Sequence, residues 1–326
     1  MVHILYKISH KLKDIRSSYV QDKKFSKKLA RYRCLLNLFS SVRLKKLAQK
    51  YRKKYDNFLI NYFETKLAPL INKYKNDVDL GVSNTEAPIW VCWWTGVETA
   101  PDLVKQCIKS IYSASGAHKV YMITEKNYRD YVEIPEYMLE KVKNGTMKLA
   151  HLADYIRLSL LESYGGLWLD ATIFCSRFIP DEYFKQPFFT CKSDWRECGY
   201  ISYMQWVTFI LGGWKGNVFF RFIKEAFEYY WRKENFAIDY LMFDYIIYVG
   251  YRNIPAIYNC IEQNNINNLN RDELQAAMNE ALPAESFDSV IKEDTVLYKL
   301  SWREKYSLTT VDGEKSVYSH FLDIDL

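Results

Sequence analysis

Residues 150–174, AHLADYIRLSLLESYGGLWLDATIF, gather the side chains best able to handle a charged ligand. Asp154 and Arg157 stand three apart in a run with helical spacing, so a helix would put both on one face. Trp168 and Asp170 alternate further on, so a strand would point both to the same side. Gly165 and Gly166 allow that helix and strand to fold back closely on each other. Two carboxylates and a guanidinium can therefore converge on one spot. A nucleoside diphosphate sugar needs that combination. Its diphosphate is anionic, and the leaving group gains charge as the sugar–oxygen bond breaks. A divalent cation on carboxylate oxygens can neutralise that charge, and an arginine can add bidentate contacts to phosphate. A second carboxylate can bind sugar hydroxyls. The plainer alternative for Asp154 and Arg157 is an intrahelical ion pair of about 0.3–0.5 kcal/mol. The company of the glycine pair, Trp168 and Asp170 favours the ligand reading.

The elements that must position these groups are legible around them. Residues 149–164 read as a helix stopped by the glycine pair, and residues 167–169 as a short strand. Upstream, the apolar run 89–94 reads as a buried strand closed by Thr95-Gly96. Residues 101–113 follow as a helix with proline in its first turn, and residues 118–124 as a second strand. This strand–helix–strand order predicts an α/β fold with a parallel, Rossmann-like sheet, and ligands bind such sheets at the carboxyl ends of the strands. Residues 216–232 and 239–249 read as aromatic-rich helices. Residues 295–300 and 317–322 look strand-like.

Residues 1–76 form a different kind of segment. Residues 1–75 carry 20 Lys and Arg against 4 Asp and Glu, a net +16 before a remainder of −10. Apolar residues recur there at helical spacing, among them Leu36, Leu38, Val42, Leu44, Leu47, Leu59 and Phe63. We expect a basic helical extension over 1–76, a polar linker over 77–88, and one catalytic domain over 77–326. Such an arm seeks phosphate. No nucleic-acid-binding motif accompanies it, so an anionic membrane surface is the expected partner, with a solvated helical face as the bland alternative. The opening residues hold too short an apolar stretch for a signal peptide, and no run is long enough to span a bilayer. The seven cysteines, Cys198 among them, form no CxxC pair. The expected location is the cytoplasm, peripheral to the inner face of the membrane.

The spaced elements Asp154-x-x-Arg157, Gly165-Gly166 and Trp168-x-Asp170, with Trp94-x-Gly96 after the first strand, resemble the capsular polysaccharide synthesis glycosyltransferases. These belong to a wider DxD class of GT-A fold. The large glucosylating bacterial toxins share its D-x-x-R, GG and aromatic-x-D-x-D pattern. The resemblance runs from about residue 89 to the C-terminus.

The resemblance implies a GT-A nucleotide-diphospho-sugar transferase fold. It implies a UDP-sugar donor, a lipid-linked oligosaccharide acceptor and transfer of a hexose with retention. Trp94 and Gly96 would lie by the nucleobase, Asp154 and Arg157 would bind donor sugar and phosphates, and Trp168 would pack near the donor. Asp170, Ala171 and Thr172 occupy the DxD position, where Mn or Mg would bind. Thr172 replaces the second aspartate, and a hydroxyl is a weaker ligand for a hard cation than a carboxylate. His320 is the candidate compensating ligand or phosphate contact, with a purely structural role as the alternative. Asp239 and Asp244 match an acidic, aromatic segment of these enzymes, and one of them could orient the acceptor hydroxyl. A helix cap for Asp239 and a satisfied polar group for Asp244 are the alternatives. Lys299, Trp302 and Lys305 could close over the diphosphate, or be surface residues. Thr172 also leaves open a non-catalytic sugar-nucleotide-binding or glycan-binding component of a capsule assembly complex.

Overall fold

The run Ile89–Cys92 forms β1, which pairs in parallel with β2 (Val120–Ile123) and with β3 (Gly166–Leu169). This arrangement comes from a computed structural model that describes residues 18–84, 86–194 and 199–326. The first 17 residues of the basic arm and Cys198 lie outside the described residues. Beyond β3, β6 (Ile210–Gly213) runs antiparallel to β3, and β5 (Phe188–Thr190) runs antiparallel to β6. The five-stranded order is β2-β1-β3-β6-β5. The fold is mixed α/β with a parallel-rich central sheet, compatible with a Rossmann-like arrangement. A separate two-stranded sheet joins β4 (Ile173–Cys175) to β7 (Leu297–Lys299), with Ile173 opposite Lys299.

Strand alternation sorts the core to the two faces of the sheet. Trp90, Trp168, Phe188 and Leu211 point into one buried cluster, and Ile89, Val91, Leu167, Leu169 and Ile210 into the other. The helices that roof the first cluster include α2 (Lys45–Tyr74), α4 (Leu149–Tyr164), α5 (Val218–Lys233) and α6 (Met242–Asn253). The second is covered by α3 (Asp102–Ala114) and α7 (Val317–Asp323). The preceding helix, α1 (Lys27–Ser41), forms a hairpin with α2. The strand-like reading of 317–322 is corrected here. Val317 and Phe321 are both buried one helical turn apart, and the Ser316 hydroxyl accepts from Ser319 N at 3.1 Å as an N-cap.

The basic extension is tied into this core. Tyr55, Leu59, Phe63, Leu67, Leu70 and Tyr74 make one buried stripe of α2 in the same cluster as α5 and α6. Several of the arm's charges are spent inside the molecule. Arg33 donates to Asp239 at 2.8 Å and pairs with Asp22 at 3.1 Å, Lys66 pairs with Glu234, and Lys73 with Glu225 at 2.6 Å. Residues 77–88 are likewise held. Val82 bridges to Lys215, and Val218 N donates to Asp79 O at 2.9 Å. In contrast, Leu38, Val42, Leu44 and Leu47 at the α1–α2 turn are exposed, so the periodicity there builds no core. Among the described residues, no helix is long and apolar enough to cross a membrane.

The glycine pair acts as the sequence suggests. Gly165 ends α4 at φ 70° and accepts from Trp90 Nε1 at 2.9 Å through its carbonyl. Gly166 begins β3 at φ 96°, where an added Cβ would stand 2.2 Å from Pro88 O. Both the backbone conformation and the space demand glycine. Gly166→Ala should therefore cost about 3 kcal/mol or more, read as a lower denaturation midpoint in urea. A midpoint within error of wild type would show that β1 and β3 separate without cost.

Candidate functional site

The carboxyl ends of β1 and β3 open into a cleft of about 440 Å³. Trp93 follows β1 and Asp170 follows β3, so parallel pairing brings both to the same rim. Helix α4 supplies His151, Asp154 and Arg157, one and two turns along a single face. The start of α6 and the loop before it supply Tyr240, Phe243 and Asp244, and the segment leaving β7 supplies Lys299, Ser301, Trp302 and Arg303.

Arg157 organises the floor. It is 5% exposed and donates to Asp154 Oδ1 at 2.7 Å and to Asp170 Oδ1 at 2.9 Å. Its guanidinium lies 4.8 Å from the Trp168 ring centroid, where the cation meets the ring's π face. Trp168 Nε1 donates to the same Asp170 oxygen at 2.9 Å. The other Asp170 oxygen accepts from Lys299 Nζ at 3.1 Å, and that ammonium also donates to Thr172 Oγ at 2.6 Å. Burial alone would raise the Asp170 carboxyl, but Lys299 and Arg157 outweigh it and hold the group below its ordinary range.

Across the cleft, Asp244 accepts from Trp206 Nε1 at 2.9 Å. Burial pushes its carboxyl up to about 7, opposed by that hydrogen bond and assisted by repulsion from Asp154. Asp244 can therefore take or give a proton near neutral pH. Burial also pushes the Cys92 thiol up to about 12, which removes it as a nucleophile at neutral pH. Lys299, Arg157 and Arg303 set three cations against the carboxylates of Asp154 and Asp170, and Asp244, raised to about 7, adds a full third negative charge only above that pH. The balance favours an anionic ligand.

The structure thus brings Asp154, Arg157, Trp168, Asp170, Ala171, Thr172 and Asp244 to one cleft. It does not bring Trp94, Gly96, Asp239 or His320 to its lining. Trp94 turns onto Tyr128, with ring centroids 5.3 Å apart, because β1 ends at Cys92. Trp93 takes the rim instead, edge-on to Trp302 at 6.0 Å. Gly96 makes the turn below the rim at φ 90°. Asp239 is occupied by Arg33, by the Tyr55 hydroxyl and by Leu241 N, so it anchors the basic arm. His320 sits on α7, whose buried residues Val317 and Phe321 pack it into the second cluster away from the cleft. Among the described residues, no three His, Cys, Asp or Glu side chains are placed to hold a metal ion.

Trp93, His151, Tyr240 and Arg303 join the cleft without having been expected from the sequence, whereas Lys299 and Trp302, which could either close over the diphosphate or be surface residues, line it. Trp93 was detectable as the neighbour of Trp94. His151 lies one turn before Asp154 and Arg157, its Nδ1 3.6 Å from Asp154 Oδ2.

Comparison with known proteins bears on what this cleft serves. A family model described as capsular polysaccharide synthesis protein matches residues 40–321. The chain is also similar to the O-glycosyltransferase PaGT of Phomopsis amygdali, with 28% identity over 108 residues. That match takes in 30% of this chain and 27% of the fungal protein, so the chain spans about a quarter of that relative's length. No solved structure matches.

The Asp244 environment has a measurable consequence. A carboxyl raised from 3.8 to about 7 keeps its proton in the folded protein after the unfolded chain has released it. Stability therefore falls as pH rises across that window, and the loss is complete above about 7. Asp244→Asn keeps an acceptor for Trp206 and cannot ionise. Its melting temperature should drop less than that of wild type between pH 5 and 8, by on the order of 2–4 °C. Parallel declines in the two proteins would mean that Asp244 titrates normally.

Proposed function

The chain belongs to the capsular polysaccharide synthesis protein family, and from that premise we propose that it is a glycosyltransferase of GT-A fold. In this reading it moves a hexose from a UDP-sugar to a lipid-linked oligosaccharide. The observation that carries the reading is the buried Arg157 joining Asp154 to Asp170 on the floor of a cleft with surplus positive charge. The similarity to a named glycosyltransferase supports the reaction class.

The cleft's own groups suffice for the outline of a transfer. The diphosphate lies toward Lys299 and Arg303, and the aromatic rim of Trp93 and Trp302 offers faces for a base or a sugar ring. Asp154 keeps its second oxygen for a sugar hydroxyl, since Arg157 takes the first. The bond between the anomeric carbon and the diphosphate oxygen breaks as the acceptor oxygen forms its own bond to that carbon. The acceptor proton passes to the departing diphosphate in front-face attack, giving retention. Fixed cations beside the leaving oxygen stabilise charge that appears only in the transition state. A divalent cation would need oxygens that are already engaged. Both Asp170 oxygens and the Thr172 hydroxyl hold Arg157, Trp168 or Lys299.

The acceptor's membrane is the proposed partner of the α1–α2 turn. Val42 and Leu44 are 55% and 48% exposed there, beside exposed Arg43, Lys45, Lys46 and Lys50. Helix α2 has no acidic residue in its first turn, so Lys45 and Lys46 oppose the helix dipole. An anionic surface would relieve that cost.

Purified protein should turn over at least one sugar of a UDP-sugar panel, and proton NMR of the product should show a retained anomeric configuration. Asp170→Asn should lower turnover by about 100-fold or more. Equal turnover in the variant would defeat the assignment, and nucleotide binding without any turnover would favour a non-catalytic component. For the membrane contact, Lys45→Glu with Lys46→Glu should weaken sedimentation with phosphatidylglycerol vesicles by roughly tenfold or more. The same pair removes the clash with the helix dipole, so misfolding does not explain a loss. Undiminished sedimentation would exclude this turn as the docking site.

A further inference from the structure

We propose that the Lys299 ammonium stands in for the divalent cation of a DxD site, so that this cleft binds and activates its sugar nucleotide without a metal. The inference rests on the glycosyltransferase reading above and specifies how that site neutralises the diphosphate.

A DxD pair offers two carboxylates, whereas this chain offers Asp170 and Thr172. Removing one carboxylate leaves a hard dication poorly ligated, yet the same oxygens suit a monovalent ammonium well. The β4–β7 register puts Lys299 directly opposite Ile173, one residue beyond Thr172. Leu300 N donates to Thr172 O at 2.9 Å and locks that register beside the site. The side chain then reaches both positions of the altered motif, Asp170 Oδ2 at 3.1 Å and Thr172 Oγ at 2.6 Å.

The details fit a built cation site. An ammonium has three N–H donors, so two serve the protein and the third is left for a ligand oxygen in the cleft that Lys299 lines. The Phe209 ring centroid, 4.9 Å from Nζ, limits where that ammonium can move. A divalent ion on the same oxygens would stand beside this fixed charge and compete with it. One carboxylate matched by one ammonium is balanced, and Arg303 remains on the lining to meet the phosphates.

The test is calorimetric titration of the full-length protein with UDP, and with GDP as a second probe, in excess EDTA and in millimolar Mn²⁺. Wild type should bind with affinities that agree within about twofold between the two conditions. Lys299→Met, close in length and uncharged, should weaken binding in EDTA by about tenfold or more. Thr172→Asp with Lys299→Ala rebuilds the carboxylate pair and removes the ammonium, and its binding should become dependent on Mn²⁺. If wild type binds only with Mn²⁺, or if Lys299→Met binds like wild type in EDTA, the proposal falls while the glycosyltransferase reading stands. If Lys299→Met does not fold, the comparison of EDTA with Mn²⁺ on wild type decides alone. Absence of UDP and GDP binding in both conditions overturns the sugar-nucleotide reading and this inference with it.

Discussion

The cleft depends on one buried cation holding two carboxylates. Arg157 is almost withdrawn from water, and its two terminal nitrogens are paired with Asp154 on its own helix and with Asp170 just after the strand that follows. Taking a charge out of water is costly unless it is paired and hydrogen-bonded, and a planar fork answers two carboxylates at once. The arrangement works both ways. Without Arg157 the two acids would repel across the floor, and without the acids the guanidinium would not stay buried. Breaking such a set from one side costs about 3–5 kcal/mol, so Arg157 is as much a structural member as a chemical one.

The geometry that allows this pairing is set by backbone. Gly166 accepts the approach of Pro88 only because it lacks a side chain, and that contact fixes β3 against β1. The strands' carboxyl ends then meet α4 at the right height. The aromatic roof above the sheet is held by the basic arm, whose arginine and lysines pair with acids of the body. Part of the charge asymmetry along the chain is therefore complementary within the fold, and the rest faces outward, at the α1–α2 turn among other places.

What was legible in the sequence was local. Asp154, Arg157, the glycine pair, Trp168 and Asp170 lie within 17 residues, so helix and strand periodicity alone places them together. The central helix and the parallel pairing followed from the same periods. What was illegible came from distant partners. Asp239 looked like a ligand residue, but its partner Arg33 lies 206 residues earlier. Lys299 could be read as a diphosphate contact or as surface charge, because nothing in its neighbourhood announces pairing with β4. The Trp94-x-Gly96 match pointed to Trp94, but β1 ends at Cys92 and it is Trp93 that reaches the rim. The exposed leucines of the α1–α2 turn have helical spacing but face no partner, and spacing cannot report that.

The small β4–β7 sheet makes the cleft's charge depend on distant chain. Lys299 meets Asp170 from a position 129 residues further along the sequence. The segment from α4 to Asp170 carries Asp154, Arg157 and Asp170 but not the ammonium that completes the charge balance. The pocket's attraction for anions is thus a property of the assembled tertiary structure, and a change that loosened β4 from β7 would weaken it without touching α4.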